Sequence, residues 1–279
     1  MADSGHVDAV DICTPSGLHA RQGLEAARRG LHVLCEKPLD IDLRAATELV
    51  EACEDRGLVL ACVLQRRTYP GAAAVAAAVH RGDLGELISC CAYVKWWRDQ
   101  AYYDSSGWRG TLALDGGVLA NQGIHALDHL CWLAGRVVCV EHAYAATLSH
   151  RMEGEDFLMA TVRFEGGARG VIEATTCCNP PLCSRVEIIG SRGAAAFDDA
   201  NVVQFGFDGE DLTNTVREAG AALGGRSEAM AISMRGHDII LSDFASAILE
   251  GRPPIVSGRA ALASVEALSG IYRAAGVVS

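Results

Sequence analysis

Lysine is almost missing from this sequence: of 24 basic residues, two are lysines and 22 are arginines. Long apolar runs are missing too. Half of the 279 residues are hydrophobic, yet no stretch approaches the roughly 18 to 20 apolar residues of a membrane span, so no membrane partner is expected. The opening residues, MADSGHVDAVDIC, hold no basic leader, apolar segment or small-residue cleavage site. A secretory signal is therefore not expected, and the cytoplasm is the expected location. Excess positive charge is also absent. A formal net charge of −11 argues against nucleic acid or an anionic membrane as a bulk electrostatic partner, while leaving room for a local basic pocket. Eleven cysteines are present, but no CxxC occurs, and Cys90/Cys91 and Cys177/Cys178 are adjacent pairs. Such spacing suits neither a disulfide framework nor zinc, so reduced and mostly buried thiols are expected.

What is present has a clear grammar. Residues 7–13 read as a short strand that stops at the turn cluster Thr14-Pro15-Ser16-Gly17, and helical spacing over 18–29 ends at Gly30. Residues 32–35 read as a second strand, 43–56 as a helix closed by Gly57, and 58–64 as a third strand. Strands alternating with single helices predict parallel βαβ units, whose ligands bind beyond the carboxyl ends of the strands. Segments 14–17, 36–38 and 65–67 fall at that edge. After Tyr69-Pro70 the pattern predicts a helix over 72–81, a strand over 87–97 and a helix over 117–133. Strands are then predicted over 139–148, 157–164, 170–176, 185–190 and 194–198, followed by helices over 239–249 and 260–274. This order predicts a parallel α/β domain over 1–69 and an α+β domain with a large, mostly antiparallel open sheet over 70–279. The C-terminal helix is a candidate to pack back on the first domain.

Two stretches carry chemistry. In HVLCEKPLD, Pro38 holds Lys37 extended as it leaves the strand, which projects the ammonium over the sheet edge. A solvated Glu36–Lys37 pair is the plain alternative. Against it stands composition, since a surface cation in this chain is normally arginine, and an ammonium offers hydroxyl or carbonyl chemistry that a guanidinium does not. In DGGVLANQGIHALDHL, residues 115–130, helical geometry puts Asn121, His125, Asp128 and His129 on one stripe. Core histidines are the plain alternative, and HxxDH invites a metal reading. No third or fourth ligand accompanies it, so no metal is expected.

Together, VDAVDICTPSGLHARQGLEAARRGLHVLCEKPL, the LQRR at 64–67 and GGVLANQGIHALDHLCWLAG resemble the glucose-fructose oxidoreductase / inositol dehydrogenase family, Gfo/Idh/MocA. WWRDQAYYDSSGWRGTLALDGGVLANQGIH further resembles its branch acting on the 3-hydroxyl of nucleotide-linked N-acetylhexosamines and their uronic acids. The resemblance implies a Rossmann-type first domain, NAD or NADP as cofactor, and a sugar or nucleotide-sugar substrate. It places the cofactor beside Thr14, Pro15, Ser16, His19, Glu36, Lys37, Pro38 and Arg67. It implies His125 as proton acceptor, oriented by Asn121, with Lys37 stabilising the alkoxide. It puts Arg98, Tyr102, Trp108, Arg109 and Gln122 on the substrate side. A homo-oligomer joined through the broad sheet is also expected.

One departure from the family pattern is large. A GxGxxG turn between a first strand and helix, followed by an acidic residue for the ribose, is not found; Gly166-Gly167 and the glycines at 220–225 stand in the wrong context. The expectation is therefore an N-terminally truncated Rossmann sheet from an active enzyme. A non-catalytic sugar-binding or scaffolding protein is the alternative. Asn121 is the second departure, standing where many family members carry aspartate.

Overall fold

The computed structural model describes residues 7–199, 201–222 and 229–278, with the side chains of 218–222 and 229–234 outside that description. Gly224 and Gly225 fall outside it as well. Three short strands, β1 (Ala9–Ile12), β2 (His32–Cys35) and β3 (Leu60–Cys62), pair in parallel in that spatial order. Helices α1 (His19–Arg28) and α2 (Leu43–Glu54) make the crossovers. The start of α2 is fixed locally: the Asp42 carboxylate accepts from the N–H groups of Arg44 (2.8 Å) and Ala45 (3.2 Å), satisfying donors that have no partner within the helix.

Helix α3 (Pro70–Arg81) has proline in its first turn and ends at Gly82, whose φ of 82° is a left-handed cap. Then come β4 (Leu87–Lys95), α4 (Gln100–Asp104), a π-helical turn at Leu119–Gly123 and α5 (Ile124–Ala134). Strands β5 (Val137–Ala146), β6 (Phe157–Phe164), β7 (Arg169–Thr175), β8 (Cys183–Gly190), β9 (Gly193–Asp198), β10 (Asn201–Phe207) and β11 (Glu210–Asp211) follow, and α6 (Thr213–Ala222), α7 (Ala229–Glu250) and α8 (Gly258–Ala274) complete the order. The eight-stranded sheet runs β11-β10-β9-β8-β4-β7-β6-β5, with β4 and β7 parallel and every other pair antiparallel.

Both the parallel α/β unit and the large, mostly antiparallel sheet that the sequence predicts are present. Alternation is the reason the strands are legible. Along β6, Leu158, Ala160, Val162 and Phe164 are buried while Met159 is exposed. The pattern does not mark β10, and the structure shows why: a register shift between Val202 and Gln204 breaks its period of two. Nor does it mark α4, which is too short to show helical periodicity.

Each sheet has its own core, and α8 belongs to both. Ala261, Leu262 and Val265 join Val33, Leu34, Leu49, Val50 and Phe244 around the parallel sheet. Ala267, Leu268, Ile271 and Tyr272 join Leu127, Leu130, Leu158 and Phe164 beneath the large one. A buried ion pair adds a second tie. Arg67, just after β3, donates from Nε and Nη2 to the Asp128 carboxylate of α5 at 2.9 and 2.6 Å, and from Nη2 to Ala260 O of α8 at 3.2 Å. Asp128→Ala leaves a guanidinium buried without its counter-charge. It is expected to cost about 3 to 5 kcal/mol of stability, read as a lowered urea midpoint.

Candidate active site

The carboxyl ends of β2 and β3, the π-helical turn and the end of β4 meet at one cleft of about 280 Å³. Lys37, Gln65, Arg66, Tyr69, Trp96, Arg98, Asn121, Gln122, His125 and Asp199 line it. Lys37 crosses between the domains, donating from Nζ to the Asn121 carbonyl at 2.9 Å. The Asn121 amide in turn donates to Asp115, whose other carboxylate oxygen accepts from Gly110 N–H at 2.7 Å. Burial lowers the Lys37 pKa, and the carboxylates of Glu36 and Asp115 oppose that shift. Burial raises the Asp115 pKa against hydrogen bonds from Gly110 and Asn121.

His125 is held neutral. Burial first, then the charges of Lys37, Arg66 and His237, push its pKa well below the usual 6.5. Its Nδ1 is buried without a hydrogen-bond partner among the described residues. An unprotonated imidazole beside an ammonium, between two domains, is an arrangement suited to removing a proton from a hydroxyl.

The other residues named from the sequence divide. Tyr102, Arg109 and Trp108 form a stacked ladder continuing from Arg98. The Arg98 and Arg109 guanidinium carbons lie 5.0 and 4.3 Å from the Tyr102 ring centre, and Arg109 lies 4.6 Å from that of Trp108. The Tyr102 hydroxyl accepts from Arg109 Nη1 at 2.6 Å and from Gln122 Nε2 at 3.4 Å, which joins the ladder to the cleft wall. His19 sets its ring nitrogens 2.7 and 2.8 Å from the carbonyls of Pro38 and Thr14, clamping the loops after β2 and β1 together. The Lys37 N–H donates to Glu36 Oε2 at 3.1 Å.

Arg67 does not reach the cleft, because Asp128 holds it in the core. The predicted polar stripe also shortens. One turn beyond His125 the cleft has ended, and His129 packs on Phe197 and Trp132, with ring centres 4.4 and 5.9 Å away. Burial pushes the His129 pKa down to about 3. Of the four stripe residues, Asn121 and His125 line the cleft, while Asp128 and His129 serve the interior.

At the β1 edge, Thr14 is exposed and Pro15 and Ser16 are half-buried, leaving the strand-end loop open to a ligand. Gly17 is no phosphate cradle. A Cβ there would meet Ala113 O at 1.9 Å, and Gly17 N–H donates to Leu114 O at 3.0 Å, so this glycine permits contact between the domains. The described residues thus fit the nicotinamide end of a dinucleotide and offer no glycine turn for its pyrophosphate.

Sequence reasoning missed seven groups. Gln65, Arg66, Tyr69, Trp96 and Asp199 line the cleft. Glu155 and Tyr272 cap the helical segment that carries Asn121 and His125. Gly117 N–H and Ala120 N–H donate to the Tyr272 hydroxyl at 3.1 and 3.3 Å, Leu119 N–H to Glu155 Oε1 at 3.1 Å, and Val118 N–H to the Glu155 carbonyl at 2.8 Å. The Tyr272 hydroxyl donates to Glu155 Oε1 at 2.9 Å. A Cβ on Gly117 would lie 1.6 Å from Glu155 Oε2, so the Gly116-Gly117 pair was the one local sign of this cap.

Among the described residues, His150, Asp156 and Cys177 bring ligand-type atoms within 4.8 Å of one another. Asp156 is already engaged there. It accepts from the N–H groups of Leu148, Ser149 and His150 at 2.7, 2.8 and 2.9 Å, and faces His150 Nδ1 at 2.8 Å.

Comparison with known proteins decides the ancestry. Residues 1–63 match the family model described as an oxidoreductase family, NAD-binding Rossmann fold, and residues 72–196 match the GFO/IDH/MocA C-terminal domain. The solved WlbA dehydrogenase of Bordetella pertussis, in complex with NADH and UDP-GlcNAcA, superposes with a TM-score of 0.90 at 33% identity, over 99% of this chain and 80% of that one. The chain belongs to the Gfo/Idh/MocA family. Two further members illustrate its range. WlbA of Chromobacterium violaceum, also in complex with NADH and UDP-GlcNAcA, gives a TM-score of 0.88 at 29% identity, over 99% of this chain and 78% of that one. The uncharacterized oxidoreductase YrbE of Bacillus subtilis is 28% identical over 70% of this chain and 56% of its own length. The chain spans about half the length of the curated Gfo/Idh/MocA relatives it matches. No described helix is long and apolar enough to cross a membrane.

The Glu155 cap has a pH signature. Burial pushes this carboxyl up to about 7 from 4.5. The folded protein therefore holds a proton that the unfolded chain releases, and the associated stability is present below pH 4.5 and lost as pH rises through 7. Glu155→Gln is neutral throughout. Relative to that variant, the unsubstituted protein is expected to lose about 3 kcal/mol between pH 4 and 8 in denaturant unfolding.

Proposed function

We propose that this protein is an NAD(P)-dependent oxidoreductase that moves hydride between nicotinamide and a ring carbon of a nucleotide-linked sugar, an N-acetylhexosamine or its uronate. The observation that carries the reading is the convergence of Lys37 and His125, from different domains, on one cleft. Bound nicotinamide supplies the hydride acceptor. The residues proposed to hold its end of the cofactor are Thr14, Pro15, Ser16, His19, Glu36, Lys37 and Pro38.

His125 takes the hydroxyl proton, since its imidazole is neutral and lines the cleft. Lys37 stabilises the oxygen as it gains negative charge; its ammonium is anchored at Asn121 O and needs no reorganisation to act. Asn121 links that anchor to the Asp115 carboxylate. Arg98, Tyr102, Trp108, Arg109 and Gln122 form the proposed substrate side, where a ring can stack on the base or sugar and a guanidinium can meet a phosphate. The two WlbA structures holding NADH and UDP-GlcNAcA support this choice of substrate class.

Lys37→Ala and His125→Asn are each expected to lower turnover on the order of a hundred- to thousandfold, followed by nicotinamide absorbance, with NADH binding by fluorescence retained in His125→Asn and weakened in Lys37→Ala. Unchanged turnover in either variant removes that residue from the chemistry. Absence of saturable NADH binding by the unsubstituted chain favours either the non-catalytic alternative or the truncated Rossmann sheet expected from the sequence. Tyr144, Met159, Val171 and Ile189 lie exposed on the strands of the large sheet, and we propose this apolar surface as a contact between copies. Sedimentation velocity is expected to report an oligomer, and a strictly monomeric profile excludes it.

A further inference from the structure

Unmet hydrogen-bonding capacity collects where the polar stripe of α5 leaves the cleft and enters the interior. Among the described residues, nine buried side-chain polar atoms have no hydrogen-bond partner, and four of them are His125 Nδ1, His129 Nδ1, His129 Nε2 and Arg66 Nη1. Folded interiors leave few such groups. These four belong to one locale. His125 and His129 stand one helical turn apart on the same face of α5. Arg67 pins the 3₁₀ turn Gln65–Thr68 to α5 at Asp128, beside His129, by hydrogen bonds of 2.6 and 2.9 Å. Its neighbour Arg66 is held from the other side by Ser184 Oγ at 3.1 Å and by Asp199. Phe197 of β9, just before Asp199, packs on the His129 ring with 4.4 Å between centres. Burial and the charge of Arg66 bear on both imidazoles and keep both neutral. Each atom has a defined need. Arg66 Nη1 can only donate. A neutral imidazole carries one N–H and one lone pair, so His129 can accept at one nitrogen, and the partner of His125 Nδ1 decides which His125 nitrogen holds the proton.

We propose that one buried water links Arg66 Nη1, His125 Nδ1 and His129, and that His129 is thereby the positioning residue that fixes the tautomer of His125. The water accepts from Arg66 Nη1 and from His125 Nδ1–H and donates to the His129 lone pair, in keeping with the about two to four hydrogen bonds that buried waters make. The proposal rests on the oxidoreductase reading above and supplies the inner partner of its base. With the proton held on Nδ1, His125 keeps its lone pair on Nε2, the ring nitrogen left for the cleft that the residue lines. A sugar hydroxyl can give up its proton there. In the opposite tautomer the lone pair faces the interior and the base is idle. Once His125 has taken the hydroxyl proton, its imidazolium still donates from Nδ1 to the same water, so no side chain has to move.

Nitrogen NMR of the chain labelled in its histidine rings reports the tautomer without cofactor or substrate, because protonated and bare ring nitrogens resonate far apart; His125→Asn assigns the signals. At neutral pH the unsubstituted protein is expected to carry the His125 proton on Nδ1, with a nuclear Overhauser effect from that proton to bound water. His129→Phe fills the space against Phe197 and Trp132 but offers no lone pair. It is expected to move the His125 proton to Nε2 and to lower turnover on the order of tenfold, with KM within about twofold. His129→Gln restores an acceptor and is expected to return the Nδ1 tautomer and bring turnover back to within about twofold. A His125 proton on Nε2 in the unsubstituted protein overturns the proposal even where no variant folds. An Nδ1 proton without contact to water overturns the bridge. A folded His129→Phe that keeps the Nδ1 tautomer removes His129 as the positioning residue, whatever its turnover. The expected tautomers in all three proteins, with no turnover of any nucleotide sugar, overturn the oxidoreductase reading alone.

Discussion

One hydrogen bond, from the Lys37 ammonium to the Asn121 carbonyl at 2.9 Å, joins the loop of the parallel sheet to the helical segment of the second domain. The cleft exists where those two elements meet. An arginine could not make the same junction, because its planar guanidinium is larger, spreads its charge and cannot give up a proton. In a chain with 22 arginines and two lysines, one lysine stands where a compact, tunable cation is needed. Burial lowers its pKa, and the carboxylates of Glu36 and Asp115 oppose that shift.

The junction is useful only if both sides are rigid. On one side, His19 clamps the loops after β1 and β2 by contacts of 2.7 and 2.8 Å. On the other, the helical segment bearing Asn121 and His125 has its first donors met by Glu155 and Tyr272, from a loop before β6 and from α8. Helix α8 lies in both cores, and the Arg67–Asp128 pair ties the turn after β3 to α5. The same elements that bury apolar surface thus fix the relative position of the two chemical groups.

Charge is distributed against the average. A protein with a net charge of −11 gathers Lys37, Arg66 and Arg98 around one cleft, with Arg109 stacked on Tyr102. A concave, low-dielectric site concentrates that field on whatever enters. The imidazole beside it stays neutral because burial disfavours its charged form and each neighbouring cation adds to the cost of a further positive charge.

Much of this was legible locally. Alternation marks β6, an aspartate cap marks α2, and proline with glycine brackets α3, because each signal acts within a few residues. Lys37 and His125 also stood out, as a lone lysine behind a strand and a histidine on a glycine-led helix. Arg66 and Arg67 show where local reading stops. They are adjacent in a single 3₁₀ turn, Gln65–Thr68, yet one lines the cleft and the other pairs with Asp128 in the interior. Three residues per turn aim neighbours in different directions, and what waits in each direction comes from distant parts of the chain. Glu155 and Tyr272 are separated by 117 positions, and neither is remarkable in its own neighbourhood. The sequence by itself determined the two kinds of sheet, most element positions and the pair of reactive side chains, since periodicity and turn chemistry are short-range. Tertiary structure alone decided which arginine lines the cleft, where the polar stripe ends and what caps the helix bearing His125, because those depend on contacts that form only when remote segments pack together.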